Sequence, residues 1–537
     1  MTTAIDSSFC QIALRPVLFV DSAFIECTAG LTRRWHKPVR HGREPLLIRD
    51  RPWEETPYFT YSNYAVIRDP ADGLFKCWYE DLGAADGSGH PWTNRQLYAE
   101  SEDGIHFRKP ELDICPFNGR GTNIVMGYAR GGKPTPWNPW AENGVHSCGI
   151  VFDPNAASSG KRYRAIFSQV RFVPGGAAQG NIRRTRTAHS ADGIHWTPDP
   201  DSPVFGNSGG ELDDVSCLHY DAGSRQFVQN TRHGRMYDAA IPLGNQPWEH
   251  RFPNHWFNPY CPNRPDLMNK RRVFQTRSHD FRHWSDLVVA SVSDDVNDNL
   301  DEGHYGMQQF RVGHYHFATL GILRFVDNEM DVRLLFSHDG QRFQAADRGQ
   351  PFLTPQGPGN WDAHLVSITS QPIEMGDDWW FYHGGANVHH DWWMGPPEGI
   401  DEPETQAATR DPRYGLGLAK LRREGFASLA GSRQRDGYVV TRPLMSPGTR
   451  LVINARCRPG GWIKAAVRDL RNEPLPGHTL EASDIFTGDA VSHTVTWNGK
   501  AEVGGAKSWR KIHLEVRDAE VFSLRFASED GEPRGKT

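Results

Sequence analysis

Short apolar runs bounded by turn-forming residues recur in matched pairs along most of the chain. The paired runs cover residues 64–70 with 73–79, 149–154 with 162–167, 218–221 with 225–228, 306–312 with 314–320, and 365–372 with 378–383. Runs of this length, rich in β-branched and aromatic residues and separated by Asp, Pro and Gly, are typical of strands joined by tight turns. The pattern therefore predicts an all-β protein.

A short hairpin element follows the strand pairs. It reads Ser, any residue, Asp, usually Gly, two further residues, then Phe or Trp. Copies begin at Ser101, Ser190, Ser278 and Ser337, and a degenerate copy covers residues 423–426. The Asp-Gly pair supplies the positive-φ turn of a tight hairpin, and the aromatic residue packs back on the sheet. Five four-stranded units that end in this hairpin predict a five-bladed β-propeller. Regular recurrence of one unit disfavours the alternative, a pair of large β-sandwiches.

The pattern changes beyond about residue 432. Residues 451–455, 462–467 and 511–516 alternate as strands do, without the Asp-Gly-aromatic element. This region is predicted to form a separate β-sandwich. The predicted domains are an N-terminal wrapping segment (residues 1–50), a catalytic five-bladed propeller (51–431) and a C-terminal β-sandwich (432–537).

Composition narrows the classes of partner. The 537 residues are 38% hydrophobic and 23% charged, with a net charge of −5, so neither nucleic acid nor an anionic membrane is an expected partner. Residues 1–14 lack the pattern of a signal peptide, and no apolar run is long enough to span a bilayer. The eight cysteines show no metal-like spacing. We therefore expect a reduced, cytoplasmic protein.

Candidate chemistry lies where the innermost strand of each predicted blade begins, because a propeller binds ligands at the mouth of its channel. Acidic, histidine and aromatic side chains recur there: Glu54, Asn63, Glu142, His146, Asp213, Asp214, Glu302, Tyr305, Trp361, Asp362 and His364. Glycoside cleavage needs one carboxylic acid to protonate the leaving oxygen and one carboxylate as nucleophile or base. The pattern therefore favours a carbohydrate as the substrate.

Further histidines and an arginine fit the same channel. His364, His383, His389 and His390 match no local metal-binding spacing, so we interpret them as polar lining and predict no metal ligand and no cofactor, leaving a structural cation open. Arg232 is predicted to clamp substrate hydroxyls or a carboxylate, although an ordinary surface arginine is an equal alternative. Trp361 can stack on a sugar face.

Longer segments carry a resemblance to a protein family: residues 50–54, 98–106, 109–112, 302–307, 361–362, 384–385 with His389, and 421–426. With these segments the chain resembles bacterial five-bladed propeller proteins similar to glycoside hydrolase families thirty-two and forty-three, the fructosidases and arabinanases, with a C-terminal β-sandwich. The resemblance implies that Asp213, Glu302 and Asp362 head blades three, four and five. The better-known propeller glycosidases carry their carboxylates on blades one, two and three, whereas blade one of this chain begins at Asn63. We therefore predict Glu302 as general acid, Asp213 as nucleophile or base, and Asp362 as an orienting or charge-stabilising group.

The sequence thus predicts a glycoside hydrolase that cleaves a furanoside or related oligosaccharide with a pair of carboxylates. Two alternatives remain open. One is a glycan lyase or epimerase that uses His and Tyr side chains in the same channel, and the other is a non-catalytic sugar-binding propeller. The sugar, its linkage, the stereochemical outcome and the oligomeric state are not determined by the sequence.

Overall fold

The computed structural model describes residues 11–60, 62–83, 93–127, 144–156, 160–171, 182–206, 212–233, 272–293, 298–299, 301–324, 327–390, 411–504 and 508–528. Across these residues the protein is all-β, which confirms the predicted class. Helical structure there is limited to two short 3-10 turns, Pro154–Ala156 and Ala346–Gly349. None of the described segments contains a helix of the length and apolarity needed to cross a bilayer.

The first half of the chain contains four short strands and then two four-stranded antiparallel sheets, which we call units 1 and 2. The strands are β1 (Val17–Leu18), β2 (Ile25–Ala29), β3 (Leu31–Trp35), β4 (Val39–Arg40), β5 (Tyr64–Arg68), β6 (Phe75–Gly83), β7 (Thr93–Ser101), β8 (Leu112–Phe117), β9 (Arg120–Thr122), β10 (Ile124–Met126), β11 (Gly144–Phe152), β12 (Tyr163–Arg171), β13 (Ile182–Ser190) and β14 (Trp196–Pro198). Unit 1 has the order β5-β6-β7-β10, and unit 2 has the order β11-β12-β13-β14.

Three further units follow along the chain. Their strands are β15 (Val204–Phe205), β16 (Leu212–Asp221), β17 (Gln226–His233), β18 (Arg272–Ser278), β19 (His283–Trp284), β20 (Val288–Val292), β21 (Glu302–Val312), β22 (Tyr315–Arg324), β23 (Glu329–Ser337), β24 (Gln344–Ala345), β25 (Pro351–Leu353), β26 (Leu365–Ser367), β27 (Ile373–Met375), β28 (Asp378–Ala386) and β29 (Tyr414–Arg422). Unit 3 is built on β16-β17-β18-β19, unit 4 on β21-β22-β23, and unit 5 on β26, β28 and β29. Units 4 and 5 join through a parallel pairing of Met330 with Leu365.

The repeated hairpins join each unit to the one before it. Four of the contacts are hydrogen bonds donated to a hairpin carbonyl: Trp78 Nε1 to Gly193 (2.6 Å), Arg164 Nη2 to Asp280 (3.2 Å), Gln275 Nε2 to Gly340 (3.2 Å) and Tyr382 Oη to Gly104 (2.8 Å). In the fifth, degenerate copy, Phe426 stacks on Phe317 of unit 4 with ring centroids 4.3 Å apart. Because the unit 1 hairpin contacts unit 5, these contacts form a closed cycle.

The turn conformation predicted from the repeat is present in every copy. The backbone is left-handed at Gly104 (φ 74°), Gly193 (φ 82°), Phe281 (φ 68°), Gly340 (φ 70°) and Glu424 (φ 58°). In the first four copies the Asp side chain accepts backbone N–H bonds from the two residues that follow the left-handed residue. The short polar side chain therefore fixes the turn that presents the carbonyl to the neighbouring unit.

A nine-stranded C-terminal sheet packs against units 4 and 5. Its later strands are β30 (Ala427–Gly431), β31 (Gly437–Thr441), β32 (Leu444–Met445), β33 (Arg450–Arg468), β34 (Asp489–Thr494) and β35 (Trp509–Ala527). Three strands of the N-terminal segment complete it, because β1 and β31 both pair with β35, β2 pairs with β31, and β3 pairs with β30. The sheet therefore starts before the predicted boundary at residue 432 and includes part of the predicted wrapping segment.

The first strand of each unit begins at the same end of its sheet, which we call the upper end. Antiparallel pairing brings the end of the second strand and the start of the third to that same end. First strands of different units contact one another there: the Ser62 hydroxyl, just before β5, accepts a hydrogen bond from the Ser216 backbone N–H in β16 (2.9 Å). The hairpins lie at the opposite, lower end.

The hairpin contact between Gly193 and Trp78 gives a stability prediction. A Cβ on Gly193 would meet the Trp78 ring at 2.5 Å, whereas a Cβ on Gly73 meets nothing within 4 Å at a similar φ of +76°. We expect both Gly→Ala variants to lose about 1–2 kcal/mol from the left-handed backbone. Gly193→Ala should lose about 1–3 kcal/mol more from overpacking. Thermal melting measures this, and equal melting temperatures for the two variants would contradict the docking role of the hairpin.

Candidate functional site

Three of the first strands are irregular at the upper end, beside the residues singled out from the sequence. The pairing register shifts between His146 and Gly149 in β11, between Leu212 and Ser216 in β16, and between His304 and Met307 in β21. A β-bulge turns side chains away from the regular alternation and is common next to active sites. In units 2, 3 and 4 the first strand is therefore irregular at the upper end, where its side chains depart from the regular alternation.

Glu302, the predicted general acid, begins β21 and is 2% exposed. Arg333 Nη2 donates to its Oε1 at 2.6 Å, and Asn299 donates from its backbone N–H (3.2 Å) and from Nδ2 (3.1 Å). Arg333 also donates to Asp298 at 2.9 Å. Both Arg333 and Asn299 therefore donate hydrogen bonds to Glu302, which accepts them through its carboxylate oxygens.

Asp331, in β23, is a second buried carboxyl group in this network. Its Oδ2 accepts a hydrogen bond from Arg324 Nη1 at 2.5 Å, and its Oδ1 has no hydrogen-bond partner among the described residues. Burial raises the pKa of Asp331 above its ordinary value, the charge of Arg324 opposes this shift, and the negative charge of Glu302 adds to it. Asp331 therefore keeps its proton to higher pH than an exposed aspartate.

The sequence analysis did not single out Asp331, although a signal exists. Glu329, Asp331 and Arg333 alternate with Met330 and Val332 in one strand. Residues two apart in a strand lie on the same face, so this pattern places three ionisable side chains together. Such an alternation in an otherwise apolar strand indicates a polar site on one face.

Histidine and tyrosine side chains lie at the upper ends of units 4 and 5. His364 Nδ1 lies 3.0 Å from Glu329 Oε1, and the His364 and His389 rings stack with centroids 3.9 Å apart. His390 Nε2 lies 3.1 Å from the Tyr305 hydroxyl, and the Arg232 guanidinium lies over the Tyr305 ring at 4.8 Å. The structure thus brings together five of the predicted binding residues, namely Arg232, Tyr305, His364, His389 and His390.

A separate polar cluster lies between units 1 and 2 and centres on Glu80, which the sequence analysis did not single out. Its carboxylate lies 2.6 Å from both His146 Nδ1 and Asn94 Nδ2, and it accepts the Ser147 backbone N–H at 2.9 Å. Ser147 has a left-handed backbone (φ 51°) and donates its hydroxyl to Asn63 at 3.2 Å. Two predicted residues, Asn63 and His146, therefore belong to a site organised by Glu80.

Two other predicted side chains are held by parts of the N-terminal segment. Asp362 is fully buried and accepts hydrogen bonds from Arg40 Nε (3.0 Å) and Gln356 Nε2 (2.8 Å). Trp361 donates its Nε1–H to the Arg43 carbonyl at 3.0 Å and stacks on His383 at 5.5 Å. Burial lowers the pKa of His383 to about 3, so this ring is neutral at physiological pH.

Three predicted residues have no described side chain. Glu142 lies outside the described residues. Asp213 and Asp214 belong to β16, but their side chains fall outside the described part of the structure. Their assigned roles remain predictions.

Glu54 is held entirely by protein groups. Its carboxylate accepts backbone N–H bonds from Asp50 (2.9 Å) and Arg51 (3.1 Å) and a hydrogen bond from the Tyr79 hydroxyl (2.6 Å), and it forms an ion pair with Lys109 at 2.7 Å. Both partners of the ion pair are buried. This geometry indicates that Glu54 anchors the start of unit 1 and is not available to a substrate.

Comparisons with known proteins give structural neighbours only. No protein-family model matches the chain, and no curated protein sequence matches it. One similar solved structure comes from work on the GH130 family of mannoside phosphorylases, described as containing glycoside hydrolases that target β-1,2 mannosidic linkages in Candida mannan. It is 13% identical, with a TM-score of 0.41, over 72% of this chain and 94% of its own.

Two further neighbours are carbohydrate-active proteins by their descriptions. An N-acetylgalactosamine deacetylase from F. plautii in complex with blood group B trisaccharide is 13% identical, with a TM-score of 0.40, over 73% of this chain and 96% of its own. A fructofuranosidase from Schwanniomyces occidentalis complexed with fructosylnystose is 12% identical, with a TM-score of 0.38, over 92% and 98%. At such values the likeness assigns no substrate or mechanism to this chain.

The buried ion pair of Glu54 and Lys109 gives a prediction that separates anchoring from substrate binding. Lys109 also contacts Asp50, whose side chain is 52% exposed, at 2.7 Å. We expect Glu54→Gln to lower the unfolding free energy by about 3 kcal/mol, because it removes the buried partner of a buried charge. Asp50→Asn should change it by less than ~1 kcal/mol, as for an exposed ion pair. Thermal melting of both variants checks this, and equal losses would contradict the anchoring role.

Proposed function

We propose that units 1–5 are the five blades of a β-propeller and that the C-terminal sheet is part of a β-sandwich. The closed cycle of hairpin contacts supports the propeller, because a ring of five sheets is the arrangement in which each unit contacts its predecessor and the first contacts the last. The upper end is then the mouth of the central channel, where propellers bind ligands.

We further propose that the protein is a glycoside hydrolase acting on a furanoside or related oligosaccharide. The observation that carries this proposal is the pair of buried carboxyl groups at the upper end, Glu302 and Asp331, which share one network of arginines but differ in hydrogen bonding. Glycoside hydrolysis needs one protonated and one ionised carboxyl group, and different surroundings of two such groups assign the two roles.

The geometry favours Asp331 over Glu302 as the proton donor. Arg333 and Asn299 both donate hydrogen bonds to Glu302, whereas burial raises the pKa of Asp331, and no group in the described part of the chain donates to its Oδ1. In this proposal Asp331 protonates the leaving oxygen and Glu302 stabilises positive charge on the sugar ring. Asp213 keeps the proposed role of nucleophile or base, and Asp362, held by Arg40, orients the loop that carries it.

A second candidate is a glycan lyase or epimerase. The observation that favours it is the contact of 3.1 Å between the Tyr305 hydroxyl and His390 Nε2, with the Arg232 guanidinium above the same ring. A paired tyrosine and histidine can move a proton at a sugar carbon, and an arginine can neutralise a neighbouring carboxylate. A binding propeller without catalysis is the third candidate.

Product release from a panel of furanosides, pyranosides and uronate-containing oligosaccharides tests the proposal. We expect wild type to hydrolyse at least one substrate, and Glu302→Gln, Asp331→Asn and Asp213→Asn to lose about 10²–10⁴-fold in kcat. Glu374→Gln is the matched control. Glu374 lies on β27 at the lower end, and Arg423 is its one ion-pair partner among the described residues. It should retain wild-type kcat and KM.

Other outcomes would favour a different function or a different site. An unsaturated uronate product, lost in Tyr305→Phe and retained in Glu302→Gln, would establish the lyase. Binding without turnover on every substrate would establish the binding propeller. Hydrolysis that is indifferent to all three carboxyl variants would overturn the proposed site.

The raised pKa of Asp331 sets the direction of the pH dependence. A general acid works in its protonated form, so kcat should fall as pH rises through the raised pKa of Asp331. This basic limb should therefore lie above the ordinary range of aspartate, which is about 3.9. The pH profile of kcat measures it. A profile whose basic limb is unchanged in the residual activity of Asp331→Asn would assign the acid role to another residue.

A further inference from the structure

Three side chains from separate elements meet at the upper end where units 4 and 5 join. Glu329, His364 and His389 each offer one potential ligand atom, and these atoms all lie within 4.8 Å of one another. We propose that they bind one divalent transition-metal cation of the zinc type. None of the three residues has a catalytic role in the glycosidase proposal, so metal binding can be tested separately from it, although His364 and His389 are also predicted to line the substrate channel.

The backbone fixes this meeting point. Met330 and Leu365 pair in the parallel contact of β23 with β26, so Glu329 and His364, which precede them, lie side by side. The backbone N–H of His364 donates to the Ala386 carbonyl (3.1 Å), and that of His390 donates to the Asn328 carbonyl (3.0 Å). The end of β28 and the turn before β23 are thereby tied together. A site on such ends is organised before any ligand arrives.

The hydrogen bond of the His389 ring matches that of a metal-binding histidine. His389 Nδ1 lies 2.9 Å from the Asp327 carbonyl, which can only accept, so Nδ1 carries the hydrogen and the lone pair of the neutral ring is on Nε2. Metal-binding histidines commonly donate their other ring N–H to a backbone carbonyl in this way. The contact orients the ring. Nε2, the nitrogen available to a metal, then faces away from the Asp327 carbonyl.

The contact between Glu329 and His364 has nearly the spacing of two ligands on one ion. Oε1 and Nδ1 are 3.0 Å apart. Ligand atoms of a tetrahedral zinc site lie roughly 3.3 Å apart, given metal–ligand bonds of about 2.0–2.2 Å. A cation can therefore take the place of the proton that these two atoms share, with a small movement of either side chain.

Burial and charge also suit a cation. His364 and His389 are buried, whereas the Glu329 side chain is 29% exposed and leaves a route from solvent. Arg324 holds the second oxygen of Glu329 at 3.2 Å, and it also contacts Asp327 and Asp331. Even with Asp331 protonated, the negative charges of Glu329 and Asp327 exceed the single positive charge of Arg324, so the immediate neighbourhood of Arg324 is net negative. Electrostatic attraction to a divalent cation follows.

The ligand set determines the class of metal. Two imidazoles with one carboxylate suit zinc and its neighbours in the first transition row, whereas calcium and magnesium prefer sites made of oxygen ligands. Three protein ligands leave at least one coordination position for water or a substrate oxygen, as in catalytic rather than structural zinc sites.

The test is metal binding by the full chain after treatment with a chelator, measured by titration calorimetry with Zn²⁺ and by the visible spectrum of Co²⁺. We expect one equivalent of Zn²⁺ per chain, a melting temperature that rises with Zn²⁺, and no comparable effect of Ca²⁺ or Mg²⁺. Glu329→Gln, His364→Gln and His389→Gln should each weaken Zn²⁺ binding by at least about 10- to 100-fold.

His390→Gln is the matched control, because His390 is adjacent in sequence and equally buried but contacts Tyr305. It should retain wild-type affinity for Zn²⁺, and metal-free melting curves show whether each variant folds. Wild type that binds neither Zn²⁺ nor Co²⁺ overturns the proposal, whatever the variants do. Unchanged affinity in the three ligand variants, or a preference for Ca²⁺, overturns it as well. Carbohydrate turnover is not measured, so failure here leaves the glycosidase proposal intact.

Discussion

The contact on which the fold depends is the docking of each repeated hairpin on the preceding unit. In unit 2 the Gly193 carbonyl accepts the Trp78 indole N–H at 2.6 Å, and equivalent hairpin carbonyls are bound in units 1, 3 and 4. Tyr382 closes the cycle by reaching from unit 5 to Gly104. A unit on its own cannot bury both faces of its sheet. Each unit therefore depends on the contact with its neighbour for its stability. The hairpin contacts lie at the lower end, whereas the contacts between units at the upper end include polar side chains such as Ser62 and Glu80.

One strand supplies much of the polar network at the upper end. Glu329, Asp331 and Arg333 alternate on β23, and they contact His364, Arg324 and Glu302 respectively. Because side chains alternate with a period of two, a shift of β23 by one residue would turn all three to the other face. The pairing of β22 with β23 is regular from His316 to Arg324, which fixes that register. The acid–base proposal and the metal proposal thus rest on the same strand pairing.

More of the fold than of the candidate site could be predicted from the sequence. The hairpin repeat predicts the left-handed glycine in the three copies that have Asp-Gly, because such turns are local and depend on neighbours within a few residues. In the other two copies the left-handed residues are Phe281 and Glu424, which the Asp-Gly rule does not predict. Glu54 shows the opposite case: its buried partner Lys109 lies 55 residues later, so no local pattern distinguishes an anchoring carboxylate from a substrate ligand. Asp331 and Glu80 lie inside strands rather than at strand starts, and their environments depend on contacts with Arg324 and His146. The alternation of Glu329, Asp331 and Arg333 in β23 is a local signal that points to Asp331 but not to Glu80.

The pairing of the N-terminal strands has a consequence for how the protein is made. Among the described strands, β1 pairs with β35, β2 with β31 and β3 with β30, and all five units lie between these partners in the sequence. During synthesis residues 17–35 leave the ribosome long before residues 427–527. Until the later residues emerge, the edges of the N-terminal strands have no pairing partner in the C-terminal sheet. The units can assemble in order behind them, but the C-terminal sheet is completed last. Exposed strand edges are prone to pair with other chains. The protein is therefore most susceptible to misassembly during translation, before β30, β31 and β35 have been synthesised.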